Sequence, residues 1–278
     1  MARIEASDGL SLYVECHGDS EGTGWPVVFS CAFSTTHANW SAQVEPLVNA
    51  GHQVALWDYR GHGLSETPND LAAFNMDQVV SDLGRVADAL SPDGPVVLAG
   101  LSFGGLASLH FTLAQPDRVR GLVLAGSGPG FKKAEAAARW KAQTERTAEY
   151  IETRGFEAFL SGKAAPTCIG REPDLPAAQA AARGILAQNP KGVADFGRRV
   201  SGLAPSVIDE LSEIDQPALV LVGEEDAAFL RAAEVMSAKM PHAQYEVVAG
   251  AGHILNIEAA EMFDRLVLDF LENLAQKP

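Results

Sequence analysis

Cysteine is scarce in this chain and has no pattern. Cys16, Cys31 and Cys168 are its three thiols. They fall at no metal-ligand spacing and leave one unpaired in any disulfide scheme. That excludes a disulfide-stapled secreted scaffold and suits a reducing compartment. Positive charge is also short: 21 Lys and Arg against 36 Asp and Glu give a formal net charge of −15. This balance argues against a nucleic-acid or anionic-membrane partner, and an anionic substrate would need basic residues gathered locally. No apolar run approaches the length of a membrane span. Met1 to Asp8 lacks a basic region followed by an apolar core, so no secretory signal is expected and a cytoplasmic location is. Internal repeats and low-complexity tracts are missing too. Nothing sets an oligomeric state. What is present is an apolar share of 47%, enough for a sizeable core. The 278 residues suffice for one large domain with an insertion, or two small ones.

Short apolar runs alternate with helical patterns for most of the length. Strands are expected at Leu10 to Cys16, Val27 to Ser30, His52 to Trp57, Pro95 to Ala99, Val119 to Ala125, Ala218 to Val222 and Tyr245 to Val248. Helices are expected at Trp40 to Ala50, Met76 to Leu90, Gly104 to Ala114 and Ala259 to Leu274. This alternation predicts an α/β fold with a mostly parallel sheet covered on both faces, whose ligands bind at the carboxyl ends of the strands. From Phe131 to about Ser212 there is no strand-like run. That Ala-rich, charged stretch is broken at Gly155, Gly162, Pro166, Gly170, Pro173, Pro176, Pro190 and Pro205. It reads as a helical lid over residues 131–212, inserted in a core of residues 1–130 and 213–278.

The chemistry centres on Ser102. It sits in Gly100-Leu101-Ser102-Phe103-Gly104, directly after the apolar run Pro95 to Ala99. A sharp strand-to-helix turn raises the serine oxygen above the sheet, and side chains at 100 or 104 would clash there. A serine hydroxyl needs a general base, and the base needs an orienting carboxylate. Val220-Leu221-Val222 opens into the acidic turn Gly223-Glu224-Glu225-Asp226. Tyr245 to Val248 opens into a Gly-rich turn ending at His253. Glu224 and Glu225 compete with Asp226 for the acid; Asp226 is preferred because it is shorter and furthest from the strand. Of the seven histidines, only His253 has the strand-end, Gly-flanked context. An oxyanion would be held by the backbone N–H of Phe103 and by one from the loop after Val27 to Ser30, with Phe33 as candidate. Phe131, Trp140 and Phe159 are candidates for lining a substrate pocket, and equally for packing the lid itself. No His, Cys and carboxylate cluster has metal spacing, so neither metal nor other cofactor is expected.

Together these residues resemble the α/β-hydrolase superfamily. Asp58-Tyr59-Arg60-Gly61-His62-Gly63-Leu64-Ser65 is similar to its Asp-x-Arg-Gly-His-Gly-x-Ser loop. Pro217 to Gly223 followed by Asp226 resembles its acid-bearing strand, and Gly252-His253 followed by Glu258 and Phe263 its histidine segment. The resemblance covers the whole chain. It implies an eight-stranded sheet flanked by helices, a variable helical lid and a Ser102–His253–Asp226 triad. It also implies a small-molecule carboxylic ester as substrate, cleaved through an acyl-enzyme. A lactone or enol-lactone, or a carbon–carbon bond in a diketone-like substrate, is the alternative with the same triad. A non-catalytic small-molecule receptor is the reading outside enzymes. Most members carry His-Gly before the oxyanion donor, where this chain has Cys31-Ala32. The segment from Phe29 to Trp40 is closer to the enol-lactonase branch.

Overall fold

In a computed structural model of the chain, residues 2–19 and 22–275 are described. Eight strands form one sheet in the order β1-β2-β4-β3-β5-β6-β7-β8. They are β1 (Ala2–Glu5), β2 (Ser11–His17), β3 (Pro26–Ser30), β4 (Gln53–Trp57), β5 (Val96–Leu101), β6 (Val119–Ala125), β7 (Ala218–Gly223) and β8 (Ala243–Val248). β1 pairs antiparallel with β2 and β2 antiparallel with β4. All further pairings, from β4 through β3, β5, β6 and β7 to β8, are parallel. β5 and β7 are buried at every position. That explains why they read as unbroken apolar runs and not as alternating ones. β1 is a strand the sequence pattern did not show. Its four residues are too few to display a period, and it exists through pairing with β2.

The helices are α1 (Ser41–Asn49), α2 (Met76–Leu90), α3 (Phe103–Ala114), α4 (Ala134–Leu160), α5 (Pro176–Leu186), α6 (Pro190–Arg199), α7 (Leu230–Lys239), α8 (Leu255–Glu258) and α9 (Ala260–Ala275). α2 illustrates their construction. Asn75 caps it, its side chain accepting the Gln78 N–H at 2.9 Å. Val79, Leu83, Val86 and Ala87 then bury one helical stripe. Between β6 and β7 the chain forms α4, α5 and α6 and adds no strand to the sheet. α4 kinks at Gly155, where φ is +76°. Pro176 and Pro190, which read as breaks in the sequence, are the first residues of α5 and α6. A proline there lacks an N–H that the first turn would leave unpaired anyway. α4 packs along α6, and α5 lies against the short turn His37–Trp40 that follows β3.

The Asp58–Ser65 loop at the end of β4 is a frame. The buried Arg60 side chain grips Asp82 of α2 with two 2.7 Å bonds and Asp8 with one of 2.8 Å. Its fork geometry matches the carboxylate. Asp58 accepts from the backbone N–H groups of His37 and Leu64, at 2.8 and 2.9 Å. The loop after β3 and the loop after β4 are thereby tied to one carboxylate.

Candidate active site

Ser102 lies between β5 and α3 with φ 54° and ψ −113°. Such a conformation costs a non-glycine residue about 1–3 kcal/mol and persists only where the surroundings enforce it. They do so by close approach. A Cβ on Gly104 would come within 2.2 Å of the Ser30 carbonyl oxygen, and one on Gly100 within 2.2 Å of the Gly104 backbone. The turn is further held by Ser102 N–H donating to Ala125 O at 2.9 Å and by Ser127 Oγ donating to Ser102 O at 2.7 Å. Ser127, on the loop after β6, was not singled out by the sequence. Nothing in its local pattern separates it from an ordinary loop serine.

Asp226 follows β7 and His253 follows β8, so register-paired strands deliver both to one edge. The two loops touch: a Cβ on Gly223 would sit 2.2 Å from the Gly252 carbonyl oxygen. Asp226 Oδ2 lies 2.7 Å from His253 Nδ1. This leaves Nε2 as the ring nitrogen not engaged by Asp226. Phe229 stacks on the imidazole at 4.7 Å between centroids. Glu225, the rival acid, turns instead to Arg171. Among the described residues no hydrogen bond joins Ser102 Oγ to the ring; the two share a cavity wall. Bonds of this kind commonly tighten only with substrate bound.

The Phe33 and Phe103 N–H groups have no intramolecular acceptor among the described residues. Phe103 is the first residue of α3, so its N–H has no partner within the helix. The Phe33 loop is built to hold its shape. Ser34 has φ +67°, and Ser34 and Ser102 are the positive-φ residues other than glycine among those described. Ser34 N–H donates to His62 Nε2 at 3.3 Å, and Gln188 Nε2 donates to Ser34 O at 2.9 Å. Burial drives the His62 pKa down to about 4, which keeps Nε2 a neutral acceptor. The Phe33 ring stacks on Phe196 and covers Gly197 of α6. Its identity therefore matters for loop placement. Cys31 does not line the cavity; its buried thiol donates to Trp57 O at 3.7 Å. Burial also pushes the Cys168 thiol up, to about 11.

One cavity of about 830 Å³ brings the sequence candidates together: Ser102, Asp226, His253, Phe33, Phe103, Phe131, Trp140 and Phe159 all line it. Trp140 is also bound into its own segment, donating through Nε1 to Ser201 O at 2.8 Å. Among the described residues no group of three or more His, Cys, Asp or Glu side chains is placed to hold a metal ion. No described helix is long and apolar enough to cross a membrane.

Comparison with known proteins agrees with this architecture. A family model described as the alpha/beta hydrolase fold matches residues 26–260. A 2-hydroxy-6-oxononadienedioate/2-hydroxy-6-oxononatrienedioate hydrolase of Cupriavidus pinatubonensis is 31% identical, over 98% of this chain and 91% of its own. Among solved structures, a thermophilic esterase from Thermogutta terrifontis superposes with a TM-score of 0.85 at 27% identity, covering 99% of both chains. The enol-lactonase from Burkholderia xenovorans LB400 has a TM-score of 0.82 at 24% identity, covering 98% of this chain and 100% of its own, and shows the shared fold. With a strand–serine–helix turn on a mostly parallel eight-stranded sheet, and a family match over most of its length, the chain belongs to the α/β-hydrolase family and is an enzyme of that family.

Proposed function

We propose that this enzyme hydrolyses carboxylic esters through an acyl-enzyme on Ser102. The observation that carries the reading is the meeting, on one cavity wall, of a strained hydroxyl at a helix start with a histidine tied to a carboxylate. Ser102 Oγ attacks the ester carbonyl while His253 Nε2 takes its proton. The negative oxygen formed in the tetrahedral intermediate lies against the Phe33 and Phe103 N–H groups. Each such donor is worth about 2.7–4 kcal/mol in comparable sites. His253 returns the proton to the departing alcohol, then deprotonates the water that releases the acid and regenerates Ser102. Asp226 stays ionised, keeps Nδ1 protonated and balances the imidazolium.

Residues 131–212 serve as a lid on a core of residues 1–130 and 213–278. They supply Phe131, Trp140 and Phe159 to the cavity wall, set substrate size and exclude water, and take no part in the bond changes. The relative named for a 2-hydroxy-6-oxo dioate favours a second reading, in which Ser102 attacks a ketone carbonyl and a carbon–carbon bond is cleaved by the same machinery.

Ser102→Ala tests the assignment. It is expected to abolish turnover of 4-nitrophenyl esters and labelling by an organophosphorus reagent, with circular dichroism and melting temperature unchanged. Residual kcat above about 1% of wild type would remove Ser102 from the nucleophile role, because loss of a triad member costs several orders of magnitude. A ketone-cleaving enzyme would be labelled at Ser102 yet turn over esters poorly and a vinylogous diketone well.

A further inference from the structure

The charge of the cavity is opposite to that of the chain. Acids outnumber bases 36 to 21 overall. Yet the cavity lining contains a single carboxylate, Asp226, which is committed to His253, and two side-chain cations, Arg146 and Lys163. Arg146 stands on α4, where Gln143, Arg146, Thr147 and Tyr150 recur at helical spacing along the cavity wall. Lys163 follows the end of α4. Both are exposed at the mouth.

Among the described residues neither cation is in an ion pair with a carboxylate. Arg146 Nη2 donates to the amide oxygen of Gln143 at 2.7 Å, which orients the guanidinium without cancelling its charge. Of the acids near it on α4, Glu145 and Glu152 both bind Arg198 of α6, at 2.8 and 2.7 Å, while Glu149, three residues on, forms no ion pair with it among the described residues. Among the described residues no carboxylate lies within ion-pair distance of Arg146 or Lys163, whereas Arg60, Arg171, Arg198 and Lys132 all have one. The rest of the lining is largely apolar and includes Phe131, Trp140, Phe159, Leu106 and Phe229.

We infer that Arg146 and Lys163 form an anion subsite, and that the preferred substrate is an ester whose far end carries a carboxylate. This rests on the ester-hydrolase reading above. The physical reasons are two. A strongly acidic protein repels an anionic substrate, and two unpaired cations at the cavity mouth reverse that field where the substrate enters. An apolar channel of this size then favours a chain that buries its middle and leaves its charged end at the rim, where the carboxylate stays partly hydrated and pays little desolvation.

The test compares two 4-nitrophenyl esters of the same adipoyl chain, the monoester of adipic acid and the same ester with its free carboxylate capped as a methyl ester. Wild type is expected to prefer the carboxylate ester, and Arg146→Gln/Lys163→Gln to raise KM for it about tenfold at low salt while changing the capped ester less than about twofold. Ionic strength of about 0.5 M is expected to erase most of the preference in wild type. Equal kcat/KM for the two esters in wild type would overturn the subsite, as would a preference that survives in the double variant. The same pair titrated calorimetrically into Ser102→Ala reads binding without turnover. Tighter binding of the carboxylate ester there supports the subsite even if esters prove poor substrates. Equal binding rejects it whatever the outcome for Ser102.

Discussion

Arg171 and Glu258 form an ion pair that joins the helical segment between β6 and β7 to the histidine loop. The same Glu258 oxygen accepts the Gly252 N–H at 2.9 Å, one residue before His253. Arg171 also donates to Glu225, one residue before Asp226, and to the Gly250 carbonyl. One guanidinium thus binds both loops that carry Asp226 and His253. Glu258 was part of the family-like histidine segment; Arg171 carried no signal, because its partners are distant in sequence. Arg171→Gln is expected to lower kcat about tenfold with KM little changed, since small misplacements of reacting groups are costly. Arg171→Lys should recover part of it. A change in melting temperature alone, with kcat intact, would leave the contact a purely structural one.

The proposed role of Asp226 can be separated from that of its neighbours by exchange to amides. Asp226→Asn keeps the shape but cannot stabilise an imidazolium, so kcat should fall by about three to four orders of magnitude. Glu225 faces Arg171 and not the ring, so Glu225→Gln should cost no more than a few-fold. Steady-state kinetics on the two variants decides; the reverse order would move the acid to Glu225.

His62 makes stability depend on acidity. Its pKa is lowered by burial to about 4, below the ordinary histidine value in an unfolded chain. The unfolded state therefore binds the proton first as pH falls. The contribution is complete at pH above about 6.5, declines between there and about 4, and is fully lost below, amounting to at most about 3 kcal/mol. His62→Gln keeps an acceptor near Ser34 N–H but has no titration in this range. Its melting temperature should fall less steeply over that window than wild type. Parallel curves would show that the imidazole does not titrate differently on unfolding.

Trp140 tests the proposed division of labour between residues 131–212 and Ser102. Its ring lines the cavity 5.9 Å from Phe131 and its Nε1 binds Ser201 O. Trp140→Ala should shift the preferred acyl length upward and leave the rate of Ser102 labelling by a small organophosphorus reagent nearly unchanged. Trp140→Phe, which loses the Nε1 hydrogen bond and part of the ring volume but keeps an aromatic face, should cost about 1–3 kcal/mol of stability and largely keep the ranking. An unaltered ranking in the alanine variant would confine the ring to packing.

The sequence by itself determined the elements whose signal is local. Buried parallel strands such as β5 and β7 are continuous apolar runs, and α2 announces itself by its apolar stripe. The turn at Ser102 was legible because its steric demand falls on two residues within the same five, Gly100 and Gly104. Asp226 and His253 could be placed because a parallel sheet sends every strand's carboxyl end to one edge.

Only the tertiary structure decided what depends on residues far apart in the chain. It showed that Glu225 is drawn away by Arg171, that Ser34 is held by His62 and Gln188, and that the Phe33 ring is seated on Phe196. It turned Pro176 and Pro190 from breaks into helix starts. It also gathered Arg146 and Lys163 at one cavity mouth, which no pattern of charge along an acidic chain could reveal. A charge acts over the few ångströms set by screening and burial, and sequence distance carries no information about which charges fall within that range.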